Sequence, residues 1–132
     1  MTTVLCTNLF EAARKVKRTL PKNLKSLPVL SCIHLYHHDG NLGLTTTDLE
    51  KPLTEYVPAR IDGDEWETCV GMKPFLDWLR VTVVSSKEIR QGVSDQINLT
   101  LDASTQILKI KAGNTRAEFK CIDALEFPPH PY

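Results

Sequence analysis

Three histidines near residue 40 are the side chains best suited to binding a metal ion. His34 lies in a predicted strand, His37 and His38 follow directly after it, and Asp39 and Asp48 come next. Imidazole and carboxylate groups are common ligands of divalent metals. Because successive side chains of a strand point to opposite faces, His34 and His38 face one way and His37 faces the other. We therefore expect no metal site.

The other candidates for chemistry are a pair of carboxylates and four cysteines. Asp48 and Glu50 suggest an acid–base pair, but no nucleophile, glycine-rich phosphate loop or basic partner lies beside them. The cysteines are widely separated, and each lies in or beside an apolar run. We predict that they are buried, reduced thiols, and that the protein has no catalytic residues and no cofactor. The four are Cys6, Cys32, Cys69 and Cys121.

Length and composition predict a single globular domain over residues 1–132. The chain is 42% hydrophobic and 24% charged, and 16 Lys and Arg balance 16 Asp and Glu. The length disfavours a two-domain enzyme, and the charge balance disfavours a strongly basic nucleic-acid binder and an acidic disordered tail. The sequence has no signal-peptide pattern and no apolar run near the roughly 20 residues of a membrane span. We expect a cytoplasmic protein.

Hydrophobic periodicity predicts the same order of elements twice along the chain. A strand, a helix and three strands are followed by a second strand, helix and three strands. Each helix has one apolar stripe, so the predicted fold is α+β, with both helices on one face of antiparallel sheet. Thr7 or Asn8 is the predicted cap of the first helix, with Glu11 as the acid of a capping box. Predicted strands cover 1–5, 29–36, 42–47, 53–61, 66–70, 97–101, 106–111 and 115–122, and the helices cover 9–20 and 74–81.

Charge is distributed unevenly along the chain. Residues 12–38 contain six basic residues and no acid, whereas residues 48–68 contain seven acids and two basic residues. Basic residues also lie on the polar side of the second predicted helix. These clusters fit either a surface that binds phosphates or the solvated sides of two amphipathic helices.

Four short motifs occur in this chain in the same order and at the same separations as in a known family. The chain resembles the first domain of the beta sliding clamp of bacterial DNA polymerase III, over nearly its whole length. Lys73, Phe75 and Asp77 also match the start of the clamp's second helix. The motifs are Leu27-Pro28-Val29-Leu30-Ser31, Asp39-Gly40-Asn41-Leu42, Thr46-Thr47-Asp48-Leu49-Glu50 and Glu126-Phe127-Pro128.

The resemblance implies a non-catalytic role in DNA replication. Clamps of this family have three such domains per chain and close as dimers around duplex DNA, so this chain corresponds to about a third of a clamp subunit. The implied partners are duplex DNA, a DNA polymerase and other clamp domains, reached by self-association or as part of a longer chain. The alternative is a clamp-fold interaction or regulatory module that does not encircle DNA.

The resemblance also implies two sets of site residues. Sequence-independent contacts to DNA phosphates are expected at Arg14, Lys15, Arg18, Lys22, Lys25, Lys73 and Arg80. A subunit interface formed by the last strand and the second helix is expected at Trp78, Thr115, Arg116, Ala117 and Phe119. The alternative is that Trp78 and Phe119 are simply core residues, and for Phe119 we favour the core position.

Overall fold

The computed structural model describes residues 1–17, 32–47, 52–88, 96–112 and 115–126. Two helices and nine strands occur in these segments, followed by a short 3-10 helix at Ala124–Glu126. The elements, in chain order, are β1 (Thr2–Leu5), α1 (Cys6–Val16), β2 (Cys32–His38), β3 (Asn41–Thr47), β4 (Pro52–Pro58), β5 (Arg60–Ile61), β6 (Thr68–Gly71), α2 (Met72–Glu88), β7 (Gln96–Asp102), β8 (Ile107–Ala112) and β9 (Thr115–Lys120).

The strands form two antiparallel sheets. One sheet has the order β4-β3-β2-β6, and the other has the order β5-β1-β7-β8-β9. β1, the first strand of the first half, pairs with β7 of the second half, and β6, the first strand of the second half, pairs with β2 of the first half. The first strand of each half therefore belongs to the sheet of the other half. The predicted α+β fold with two strand-helix-three-strand repeats is confirmed.

The hairpin between β2 and β3 has the tight turn that its sequence predicts. Asp39 and Gly40 form the two-residue connection, and their φ angles are 48° and 77°. Two positive φ angles match the right-handed twist of the flanking strands, and Asp-Gly is a favoured pair for that geometry.

The predicted strand over residues 53–61 is divided between the two sheets. β4 pairs with β3 and ends at Pro58, whereas β5 pairs with β1 through Arg60 and Ile61. Proline has no N–H to donate, which suits the edge position of β4. This short crossing links the first half of the chain to the second sheet.

Both helices pack into one core with side chains of the two sheets. Leu9, Ala13 and Val16 of α1 are fully buried, as are Phe75 and Leu79 of α2. The helices also contact each other. Their polar sides therefore lie on the surface away from the sheets. No helix among the described residues is long and apolar enough to cross a membrane.

The predicted cap of the first helix is wrong. Strand β1 runs directly into α1, so the helix begins at Cys6 and its N-cap is Leu5, which has extended backbone angles and no side-chain cap. Thr7 and Asn8 lie inside the first turn, and Glu11 pairs with Arg14 instead of closing a capping box. Strand β6 meets α2 in the same direct way, at Gly71 and Met72.

All four cysteines are free and buried, as predicted. Burial raises the pKa of the Cys69 thiol far above its ordinary value, and it raises the pKa of Cys121 as well. A protonated thiol is a poor nucleophile and a poor metal ligand. These side chains therefore act as small core residues.

Candidate nucleic-acid interface

Among the side chains that the structure describes, the polar sides of the two helices carry five exposed cations. Arg14 and Lys15 are exposed on the side of α1 that lies away from its buried stripe, and Lys17 follows at the helix C-cap. Lys73 and Arg80 are exposed on α2. Because the helices contact each other and bury their opposite sides, these cations belong to one surface. We call Arg14, Lys15, Lys17, Lys73 and Arg80 the helical face.

Two arginines of the helical face form ion pairs within their own helices. Arg14 Nη2 lies 2.6 Å from Glu11 Oε2, and Arg80 Nη1 lies 3.5 Å from Asp77 Oδ1. The side chains of Arg14 and Arg80 are still 60% and 54% exposed. Exposed pairs of this kind are weak, so the arginines remain able to exchange a carboxylate for another anion.

The lysines of the helical face are more available than the arginines. Within the segments that the structure describes, Lys15, Lys17 and Lys73 form no ion pair. A lysine ammonium is a compact point charge on a flexible stem, which suits contact with phosphates without a fixed geometry. The helical face therefore provides cations for sequence-independent contact with a polyanion.

Sequence reasoning placed three more cations in this region. Arg18, Lys22 and Lys25 lie outside the described residues. Lys17, which was part of the basic stretch in the sequence but was not assigned a contact, joins the helical face because α1 brings it beside Lys15 and Arg14.

Four of the five residues assigned to a subunit interface lie on β9, at the edge of the five-stranded sheet, and Trp78 lies on α2. β9 is the last strand in the order of that sheet, and it pairs with β8. Phe119 is half-buried and packs edge-to-face on Phe75 and Trp78, at ring-centroid distances of 5.9 and 6.4 Å. Thr115 and Arg116 are exposed. Phe119 thus stabilises the core at the edge, and no strand within the described segments pairs with the outer side of β9.

The three histidines diverge, as strand alternation predicts. The His34 ring packs against Tyr36, and the His38 ring packs against Tyr56. His37 lies near Trp66 instead. Across the described segments, no three His, Cys, Asp or Glu side chains converge closely enough to hold a metal ion.

His37 connects three separate parts of the chain. Its Nδ1 accepts the backbone N–H of Trp66 at 3.2 Å, so the ring proton is on Nε2, which donates to Thr2 Oγ1 at 2.8 Å. Burial lowers the pKa of His37, although Glu65 opposes the shift. The neutral ring therefore joins β2 to β1 by a hydrogen bond, which is a structural role.

Comparison with solved structures shows what this arrangement resembles. The DNA polymerase III beta subunit from Pseudomonas aeruginosa superposes with a TM-score of 0.76 and 25% identity, over 99% of this chain and 32% of that chain. This chain has the fold of one domain of the bacterial beta sliding clamp. The beta subunit from Thermotoga maritima gives a TM-score of 0.79 at 21% identity, over 99% of this chain and 33% of that chain.

A third clamp agrees with the other two. The sliding clamp from Bartonella birtlesii, solved bound to griselimycin, gives a TM-score of 0.78 at 23% identity, over 100% of this chain and 32% of that chain. This chain spans about a third of the length of these clamp subunits. No protein-family model and no curated protein matches the sequence. The resemblance inferred from four short motifs is confirmed at the level of the clamp-domain fold.

Proposed function

We propose that this chain is a sliding-clamp domain, a non-catalytic accessory unit that helps to hold a DNA polymerase on its template in the cytoplasm. The observation that carries the proposal is the match of the whole chain to one domain of bacterial sliding clamps. In this role the helical face contacts duplex DNA. Arg18, Lys22 and Lys25, which continue the basic stretch in the sequence, add to that contact.

The chemistry of the helical face suits a protein that slides. Lysine and arginine contacts to phosphates carry no base readout, so their energy is the same at every position along the duplex. Each contact releases condensed counterions, which makes binding weak at physiological salt and strong at low salt. Such contacts hold DNA without fixing the protein at one sequence.

Assembly with other clamp domains is the second part of the proposal. A single domain cannot surround a duplex, so β9 is proposed to accept a strand from another clamp domain by antiparallel addition. Trp78 and Phe119 support this edge from the core side, and Thr115, Arg116 and Ala117 lie along it. The other domains belong either to further copies or to a longer chain.

Charge reversal on the helical face tests the DNA contact. The variant Lys15→Glu/Lys73→Glu changes two exposed cations that form no ion pair with described residues. We expect weaker binding to a short fluorescent duplex at low salt, and a salt slope that falls by about 1.8, from 0.9 per lost phosphate contact. The control Lys15→Arg/Lys73→Arg keeps both charges and should bind like the original chain.

Duplex binding and sedimentation of the original chain together separate the two function classes. A chain that binds no duplex at low salt and stays monomeric in sedimentation would favour the alternative, a clamp-fold interaction module that does not encircle DNA. Equal binding by the charge-reversed and charge-conserving variants would rule out the helical face as the DNA contact.

A further inference from the structure

A second group of cations lies on the side of the molecule opposite the helices. In β8, Leu108 and Ile110 are buried in the core, so Lys109 and Lys111 point outward and are exposed. On β9, Arg116 and Lys120 are also exposed. We call the outward side chains of β7, β8 and β9 the outer sheet face. Its members are Gln96, Asn98, Thr100, Asp102, Ile107, Lys109, Lys111, Arg116, Glu118 and Lys120.

Strand register brings the cations of the outer sheet face together. Lys111 lies directly opposite Arg116, and Lys109 lies between Thr100 and Glu118 on the neighbouring strands. Neighbouring strands are about 4.8 Å apart, and alternate residues of one strand are about 7 Å apart. The cations therefore form a compact stripe along two adjacent strands.

The cations of the stripe form fewer ion pairs than those of the helical face. Glu118 and Asp102 are the acidic side chains of the outer sheet face. Asp102 is engaged by Ser104, whose hydroxyl and backbone N–H both donate to Oδ1 at 2.7 and 3.1 Å. Within the described segments, Lys109, Lys111, Arg116 and Lys120 form no ion pair, whereas two cations of the helical face do.

The shape and chemistry of the outer sheet face indicate its ligand. A groove of about 740 Å³ lies beside β8 and β9. Polar and charged side chains make up most of its lining, together with the apolar Met1, Ile110 and Ala117; the polar ones are Asn98, Thr100, Lys109, Lys111, Arg116 and Glu118. The outward positions hold no aromatic side chain, and their one large apolar side chain is the half-buried Ile107 at the end of the face. Protein interfaces depend on apolar and aromatic anchors, and single-strand sites depend on aromatic rings for base stacking. A duplex presents only phosphates and sugars to such a surface, and lysine, arginine, threonine and asparagine are suitable donors to phosphate.

We propose that the outer sheet face binds the phosphate backbone of a second DNA duplex segment, on the opposite side of the domain from the helical face. This site is independent of the DNA contact proposed for the helical face, because none of its residues lies on a helix, although it shares β9 and Arg116 with the proposed subunit edge. A domain with both sites holds two duplex segments at once.

A bridging assay with the full 132-residue chain tests this proposal. Two short duplexes, one with a donor dye and one with an acceptor dye, are mixed with the protein at low salt. We expect energy transfer with the original chain and none with Lys109→Glu/Lys111→Glu, which should still bind one duplex with a salt slope reduced by about 1.8. Lys109→Arg/Lys111→Arg is the matched control and should bridge normally. Circular dichroism checks that each variant folds, and Lys109→Gln/Lys111→Gln replaces the charge-reversed variant if that one does not.

The outcomes separate this proposal from the proposed function. Lys15→Glu/Lys73→Glu should also lose bridging but keep one duplex on the outer sheet face. Bridging that survives Lys109→Glu/Lys111→Glu would show that another surface, or self-association, joins the duplexes, and would overturn the proposal. The proposal would also be overturned if Lys109→Glu/Lys111→Glu lost binding only to a single-stranded probe, or only to a glutamate-rich peptide. The ligand of the outer sheet face would then belong to another class.

Discussion

Gly43 has a packing role that its residue type alone does not reveal. It lies opposite Tyr36 in the β2–β3 ladder, and a Cβ atom added to Gly43 would lie 2.5 Å from Cε2 of the Tyr36 ring. Tyr36 is only 2% exposed, so the ring has little room to move. We predict that Gly43→Ala lowers the free energy of unfolding by about 1–3 kcal/mol, as overpacking does.

Urea denaturation measures this change. Gly71→Ala is the matched control, because the nearest atom to its added Cβ is Pro74 Cγ at 3.4 Å. Equal stability of the two variants would show that the Tyr36 ring is not confined. Sequence reasoning identified the apolar neighbours that bury each cysteine, but it could not find this contact, which depends on the register of two strands.

Tyr36 also gives the protein a predictable response to alkali. Burial raises the pKa of Tyr36 to about 12, more than its hydrogen bond with Thr45 lowers it. The folded protein thus resists ionisation of this phenol, while the unfolded chain ionises near pH 10. The stability that this group contributes is complete below pH 10 and is lost as the pH rises through about 12.

We predict that Tyr36→Phe reduces the loss of stability between pH 10 and pH 12, as measured by urea denaturation across that range. Tyr56→Phe should change the alkaline profile less, since Tyr56 is 43% exposed and contributes less than burial does to the raised pKa of Tyr36. A Tyr36→Phe variant with an unchanged alkaline profile would contradict the assignment.

At the scale of elements, the acids within the helices restrain the helical face. Glu11 and Asp77 pair with Arg14 and Arg80 over one helical turn. We predict that Glu11→Gln/Asp77→Asn strengthens duplex binding severalfold at low salt, because it removes two negative charges and frees two arginines. The cost in stability is about 0.2–0.5 kcal/mol per pair.

Fluorescence anisotropy with a short duplex measures the gain. Asp64→Asn/Glu65→Gln makes the same change of charge in the exposed segment before β6 and serves as the control. If the two variants tighten binding equally, net charge rather than the helical face governs affinity.

The elements themselves were largely predictable, but their pairing was not. Apolar periodicity locates α1, α2 and most of the strands, because side-chain burial is a local pattern. It cannot show that β1 pairs with β7, that β6 pairs with β2, or that residues 60–61 leave β4 for the other sheet. Those contacts join residues far apart in the sequence, and several apolar strands could take each place. Periodicity also missed the direct passage from β1 into α1, which moved the helix start away from Thr7.

At the scale of the whole molecule, the exchange of strands makes the two halves depend on each other. A chain cut in the exposed segment at Gly63 separates β1 from β7 and β2 from β6. We predict that residues 1–63 and 64–132 are unfolded when they are produced separately and recover native circular dichroism when they are mixed. Cooperative thermal unfolding of either fragment alone would contradict this dependence.

The formal net charge of zero conceals separate charged regions. The helices and the outer sheet face carry cations, while exposed acids gather at Asp62, Asp64, Glu65 and Glu67. Sequence reasoning found the basic helices and the acidic segment, because those charges are consecutive or follow helical spacing. It missed the outer sheet face, whose cations come from two strands and meet only through their register.

The salt dependence of binding to duplex DNA tests the central claim most directly. The original chain is titrated with short duplexes of unrelated sequence at several salt concentrations. A clamp-type contact predicts equal affinity for all sequences and a linear fall of log affinity with log salt, with a slope of about −0.9 per phosphate contact. No binding at the lowest salt, or strong preference for one sequence with a slope near zero, would contradict the account.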